Sequence, residues 1–371
     1  MKYYTSTTEF NCGIDLHARQ MYMCVMDRQG KALVHTNIIG NDFDFFLKKV
    51  APYRHDLTVV CECTFNWYWL ADACFEANIP FVLAHALYLS HIHGGKNKND
   101  RIDSEKLAHL LRSNLIPPAY VYPAQRRPIR ALLRQRMSYV WQRAALMTHL
   151  SMNQTAEGLI PAGKTNHNRD LWMEQILAQY ENPLHRLAVT CEMDVIRAYD
   201  AQVTKLEAEI VRQAKTHDGR DYHLLTTVPG IGRILAMTIL FEIDTIARFL
   251  TVKDFVSYSR LVKGSVASAG KIKGLTGGKM GNGYLRWAFG EAAVIAKRNH
   301  PLLKPYADKL IAKRGKFKGN AILANKLARA VYFMLQKGTA FDAERLIATL
   351  SPGTSKPATC GRFKTSHRFF I

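Results

Sequence analysis

Four carboxylates and one serine carry the chemistry this sequence offers. Asp15 lies inside the apolar run Cys12-Gly13-Ile14-Asp15-Leu16-His17, where a charge on a buried strand is costly without a cation. Glu62 ends a second buried-type run, Leu57-Thr58-Val59-Val60-Cys61-Glu62. Asp100 and Asp103 are three residues apart, so on a helix their carboxylates face the same way. Such hard oxygens suit Mg²⁺ or Mn²⁺, and a pair of these ions can activate a nucleophile and stabilise a leaving oxygen in phosphodiester chemistry. Taken singly, each acid has a plainer reading. Asp15 can be a hydrogen-bonded strand residue, Asp100 an N-cap, and Asp103 and Glu105 first-turn dipole partners. Taken together they read as a metal site. His17, His91 and His93 lie near it in the sequence, but none is assigned as a ligand.

Ser268 falls in a Gly- and Lys-rich stretch from Lys263 to Gly283, among Lys263, Lys271, Lys273, Lys279 and, just beyond, Arg286. A serine hydroxyl is a weak nucleophile unaided, and no histidine adjoins it to build a hydrolase-type triad. Read from its neighbours alone, Ser268 is better explained as a hydrogen-bonding loop residue than as a nucleophile. Thr227-Val228-Pro229-Gly230-Ile231-Gly232 opens an apolar helix. In helix-hairpin-helix elements, glycines such as Gly230 and Gly232 let backbone N–H groups approach a phosphate; an ordinary Pro-Gly turn is the equal alternative. Arg126, Arg130 and Arg134 fall on one helical stripe, which suits nucleic acid or a solvated face.

The elements that position these groups follow from periodicity. Residues 12–38 read as three short strands with a turn at Asp27-Arg28-Gln29-Gly30. A helix from Phe43, the strand ending at Glu62, a helix from Trp67 and a strand at Pro80–Ala84 complete a β-β-β-α-β-α-β order, and a helix from Asp100 follows. The first and fourth strands can lie side by side, which would bring Asp15 and Glu62 together. Two long helices follow, from Gln125 to about Ser151 and from Leu184 to about Lys215, with the spacing to pair as an antiparallel coiled coil. From Tyr222 the pattern is short helices and Gly-rich loops. The expected organisation is an α/β domain at 1–150, a helical spacer at 151–220, a mainly α domain at 221–350 and a flexible basic tail at 351–371.

Charge points to the partner. The 371-residue chain carries 51 Lys+Arg against 30 Asp+Glu, a formal net charge of +21. The three windows 1–150, 151–220 and 221–371 hold net +6, −2 and +17. A small-metabolite enzyme seldom needs that field, and a polyanion such as nucleic acid does. Seven scattered Cys without a CxxC pair disfavour disulfides and zinc and suit reduced thiols in the cytoplasm. No apolar run is long enough for a membrane helix, and no signal peptide is expected.

These motifs resemble a known family, the insertion-sequence transposases with an N-terminal DEDD, RuvC-like domain and a C-terminal transposase domain, which are bridge-RNA-guided serine recombinases. The resemblance rests on Gly13-Ile14-Asp15-Leu16-His17, Cys61-Glu62-Cys63-Thr64, Asn99-Asp100-Arg101-Ile102-Asp103-Ser104, Val228-Pro229-Gly230-Ile231-Gly232, and Ser268-Ala269-Gly270-Lys271 leading to Lys279-Met280-Gly281-Asn282-Gly283-Tyr284-Leu285-Arg286. It implies an RNase H-like fold in which Asp15, Glu62, Asp100 and Asp103 bind metal. It also implies that Ser268 is the nucleophile, with Ser265 as the fallback register, and that the serine forms a covalent link to DNA. Target and donor DNA, a structured non-coding guide RNA, and a tetramer in which one subunit completes another's site are the implied partners. The implied location is the bacterial cytoplasm at the nucleoid. A hydrolytic junction-resolvase-like nuclease and a non-enzymatic nucleic-acid scaffold are the competing readings.

Overall fold

The computed structural model describes residues 3–89, 92, 99–161, 169–216, 219–268, 271–276 and 280–348. The chain divides into two compact units, Met1–Ala131 and Leu132–Ile371. His91, His93, Ala269, Gly270, Lys279, Cys360 and the 351–371 tail lie outside the described residues.

The first unit is built on five strands: β1 (Phe10–Leu16), β2 (Gln20–Met26), β3 (Ala32–Ile39), β4 (Leu57–Glu62) and β5 (Phe81–Ala84). Their order across the sheet is β3-β2-β1-β4-β5. The first three strands run antiparallel, while β4 joins β1 in parallel and β5 joins β4 in parallel. The expected adjacency of first and fourth strands is therefore present. Four helices accompany the sheet: α1 (Phe43–Val50), α2 (Trp67–Glu76), α3 (Ala86–Leu89) and α4 (Asp100–Arg112).

Strand alternation sorts the side chains onto two faces. Cys12, Ile14, Val59 and Cys61 pack with Phe46 and Val50 of α1 and Leu70 and Cys74 of α2. Val60 and Val82 face the other way, against Leu107, Leu110 and Leu111 of α4. Burial on both faces explains why these strands read as continuous apolar runs. No disulfide links the described cysteines; Cys12, Cys24, Cys61 and Cys74 are buried, whereas Cys191 is exposed.

A long helix, α5 (Arg127–Ala156), enters the second unit. It is followed by α6 (Arg169–Leu177), α7 (Pro183–Thr216), α8 (Arg220–Thr226), α9 (Arg233–Ile243) and α10 (Val252–Tyr258). After these come β6 (Gly264–Ser268) and β7 (Lys271–Thr276), then α11 (Gly283–Asn299), α12 (Leu303–Arg314), α13 (Lys316–Lys337) and α14 (Ala343–Ala348). The expected antiparallel pairing of α5 with α7 is seen in its ion pairs. Arg136 meets Glu207 at 2.6 Å, Arg143 meets Asp200, and His149 meets Glu192 at 2.8 Å. Partner numbers fall as helix numbers rise, the signature of opposed chain directions. Leu150, Trp172, Met173, Val189, Met193 and Ile196 form the apolar seam at one end. The Gly-rich stretch expected to be a loop instead holds an antiparallel hairpin, β6 with β7. Alternating Ser265, Ala267, Lys271 and Lys273 carry too little apolar surface for the strand pattern to show in the sequence.

Candidate functional site: an acidic cluster on one unit, a serine hairpin on the other

The acidic cluster depends on a glycine. A Cβ added to Gly13 would stand 2.2 Å from the Ser104 carbonyl oxygen and 2.4 Å from the Ala108 nitrogen. Only a bare backbone at 13 lets α4 lie directly on β1. The N-terminus of α4 then arrives over Asp15. Asn99, not Asp100, caps this helix: its side chain accepts the Ile102 N–H at 2.8 Å. Asp100 is thereby released from the capping role that the sequence allowed it.

His17 joins the two acids. Its Nε2 lies 3.3 Å from Asp15 Oδ2 and 3.3 Å from Asp100 Oδ1. One ligand atom each from Asp15, His17 and Asp100 lie within 4.8 Å of one another. Gln20 donates to Asp100 Oδ2 at 3.2 Å and accepts from Asn37 at 3.1 Å, which orients the carboxylate. The His17 carbonyl accepts from Asn41 at 3.1 Å and from Asn66 at 2.9 Å, which pins the backbone beneath the ring. Burial raises the Asp15 carboxyl above its ordinary value; His17 opposes this, and Asp100 and Asp103 add to it. An acid held in that state is relieved by any cation placed beside it.

The sequence pointed to four acids, and the structure gathers two of them with a histidine. Glu62 is half-buried at the end of β4. By alternation it shares the face of Val60, the face on which α4 lies. Asp103 follows Asp100 in the first turn of α4 and is paired with Lys106 at 3.2 Å. His17 was not assigned as a ligand, although its place just past the end of β1, two residues after Asp15, carries the strand alternation that turns both side chains to one face. The donor chemistry fits a divalent ion. Carboxylate oxygens suit Mg²⁺ or Mn²⁺, an imidazole nitrogen is better tolerated by Mn²⁺, and the two 3.3 Å separations from His17 fit within a coordination sphere of about 2.1 Å radius.

Ser268 is the last residue of β6, paired across the hairpin with Lys271. Ser265, Ser268, Lys271 and Lys273 are all exposed. The foot of the hairpin is tightly tied. The Asn282 N–H donates to the Tyr258 carbonyl at 2.5 Å, and Arg260 Nε donates to the Gly281 carbonyl at 2.8 Å. Gly281 has φ +92°, and a Cβ there would meet the Tyr258 oxygen at 2.4 Å. Arg260, Lys263 and Arg286 line a cavity of about 360 Å³ at this foot, together with Asn320. The Asn320 Oδ1 is buried without a hydrogen-bond partner.

Expectations for one arginine and one glycine of the proposed nucleic-acid surface change. Arg134 does not present its charge outward. Its Nε and Nη2 reach Glu242 at 2.7 and 2.9 Å, and Glu242 is only 1% exposed. Asn282 donates to the same carboxylate at 2.6 Å while its own Oδ1 caps α11 through the Tyr284 and Leu285 N–H groups. Arg130 lies over the Tyr122 ring at 4.1 Å. Gly230 serves packing: at φ +84° a Cβ would stand 2.3 Å from the Ala292 carbonyl oxygen of α11. Gly232, by contrast, is exposed at the N-terminus of α9, with open space where a Cβ would lie.

Comparison with known proteins matches two stretches of the chain. Residues 12–153 match the DEDD transposase family model of the IS110 group. Residues 222–308 match the model described as Transposase IS116/IS110/IS902 family. A curated relative, the transposase for insertion sequence element IS1111A of Coxiella burnetii (strain RSA 493 / Nine Mile phase I), is 23% identical over 336 residues, covering 88% of this chain and 89% of its own length. Among the described residues no helix is long and apolar enough to cross a membrane. With a possible divalent-metal site in the matched DEDD region and a matched transposase region behind it, the chain belongs to the IS110 family of transposases, enzymes that cut and rejoin DNA.

Proposed function

We propose that this transposase exchanges DNA strands through a covalent link to Ser268, under the guidance of an RNA encoded with its element. The observation that carries the reading is the convergence of Asp15 and Asp100 with His17 on the sheet face that also bears Glu62. The strand order β3-β2-β1-β4-β5, antiparallel then parallel, supports an RNase H-like assignment for this unit. Asp15, Glu62, Asp100 and Asp103 would hold Mg²⁺ or Mn²⁺. Bound there, the metal supplies Lewis-acid stabilisation of the charge that develops on phosphate oxygens.

The residues of the chain divide the remaining work. Ser268 Oγ bonds to the scissile phosphorus as the bond from phosphorus to one deoxyribose oxygen breaks; the serine proton ends on that departing oxygen. Attack by a hydroxyl of the other DNA strand reverses the step and returns the proton to serine. Lys263, Lys271, Lys273 and Arg286 would neutralise the phosphates around it, and the Arg260–Lys263–Arg286 cavity is the place for one of them. A two-stranded hairpin with exposed strands is marginal by itself. That supports a role in which nucleic acid or a neighbouring subunit completes its environment, as in a tetramer. RNA guidance rests on the family resemblance and on the +17 charge of residues 221–371.

A hydrolytic reading draws on the same acidic cluster, with water rather than Ser268 as the attacking group and Ser268 incidental. Denaturing gels after incubation with donor and target DNA separate the two. The serine reading predicts a protein–DNA adduct that survives denaturation, is lost in Ser268→Ala and is retained in Ser265→Ala. Cleaved DNA with no adduct, and full cleavage by Ser268→Ala, would establish hydrolysis instead. Sequencing the RNA that co-purifies tests guidance: a discrete species supports it, and random fragments refute it.

A further inference from the structure

A second basic cavity, of about 350 Å³, lies between the C-terminal half of α13, residues 338–342 and α14. Its wall carries four cations, Lys326, Arg329, Lys337 and Arg345, against one acid, Asp342. Asp342 Oδ1 accepts the Arg345 backbone N–H at 2.9 Å and so caps α14. Among the described residues none of the four cations is held in an ion pair. Lys326 is only partly exposed. Burial, and then the Arg329 guanidinium, lower its ammonium from the ordinary lysine range. Lys326 and Arg329 are three apart on one helix, so like charges face each other at a cost to the helix.

A fold that keeps half-buried like charges together without a counter-charge is prepared for an anion. The rest of the lining says which kind. Phe333, 43% exposed, and Phe341 present aromatic surface beside the cations, the combination that stacks a base while neutralising its phosphate. The volume lies within the range of small-molecule sites. We propose that this cavity binds one nucleotide of a single-stranded nucleic-acid segment, with its phosphate at Lys326 and Arg329 and its base against Phe333. The proposal requires only that the enzyme acts on nucleic acid. It stands or falls independently of Ser268 and the carboxylates.

The test is photo-crosslinking of the full-length protein to a short single-stranded oligonucleotide carrying iododeoxyuridine, mapped by peptide mass spectrometry. Crosslinks are expected at Phe333 or Phe341. In Lys326→Gln/Arg329→Gln they disappear, and affinity for the oligonucleotide falls about tenfold or more, the loss of two charge-assisted contacts. Thymidine monophosphate competes for the crosslink better than inorganic phosphate does, because it brings a base. The melting temperature of the free double variant is unchanged or higher, since a like-charge repulsion has been removed. Crosslinks confined to other peptides, persistence of the Phe333 crosslink in the double variant, or a lowered melting temperature would each overturn the assignment.

Discussion

Arg134→Ala should destabilise the second unit without changing how tightly the protein grips DNA. Glu242 is 1% exposed and takes two short hydrogen bonds from Arg134 and one from Asn282. Removing one partner of a buried ion pair costs about 3–5 kcal/mol, because the remaining charge stays in a poor solvent. The Arg134 side chain is 36% exposed, so water partly replaces it and the cost falls toward the lower end, about 3 kcal/mol. Replacing both partners with apolar groups of similar volume, Arg134→Met with Glu242→Leu, removes the stranded charge and should cost much less than the sum of the singles. A chain of two units need not unfold in one step, so the measurement is hydrogen exchange of the α9 and α11 amides, supported by tryptophan emission. Trp141 stacks on Tyr284 at 5.8 Å with 20° between the planes, and the Arg134 guanidinium lies 4.7 Å over the same ring. It therefore reports on the node directly. A cost for Arg134→Ala below about 1 kcal/mol, within the range of an exposed pair, would refute the reasoning. So would single-variant costs that simply add in the double variant. The node also caps α11 at the foot of the serine hairpin, so strand cleavage should fall along with stability.

Gly13→Ala should separate α4 from β1, since its Cβ would meet backbone atoms at 2.2 and 2.4 Å. Mn²⁺ binding, measured by titration calorimetry, should be lost along with thermal stability; unchanged metal affinity would show that α4 does not place Asp100. Mn²⁺ at a hundredfold excess over its Kd should stabilise the wild-type protein by about 2.7 kcal/mol, and neither Asp15→Asn nor Asp100→Asn should respond in a thermal-shift assay. Lys263→Gln and Arg286→Gln should each reduce the slope of log affinity for duplex DNA against log salt by about one. Arg134→Gln should leave that slope alone, and an equal reduction would return Arg134 to the DNA surface.

Periodicity over neighbouring residues was enough for most of the architecture. Short apolar runs marked the strands that carry Asp15 and Glu62, the three-residue spacing put Asp100 and Asp103 on one helix turn, and two long helices with apolar spacing suggested an antiparallel pair. These features depend on backbone repeat lengths, which are local and legible in one chain. What the sequence by itself determined was therefore which residues could face the same way. Which of them meet was decided by packing: Gly13 draws α4 onto the sheet, Asn99 takes the cap, and His17 closes on the two carboxylates. The same holds for Arg134. Nothing beside it in the sequence distinguishes it from Arg130, yet a buried acid 108 residues away claims its charge. A charged side chain goes wherever its solvation is best. Whether that is water or a buried carboxylate depends on which distant segment folds against it.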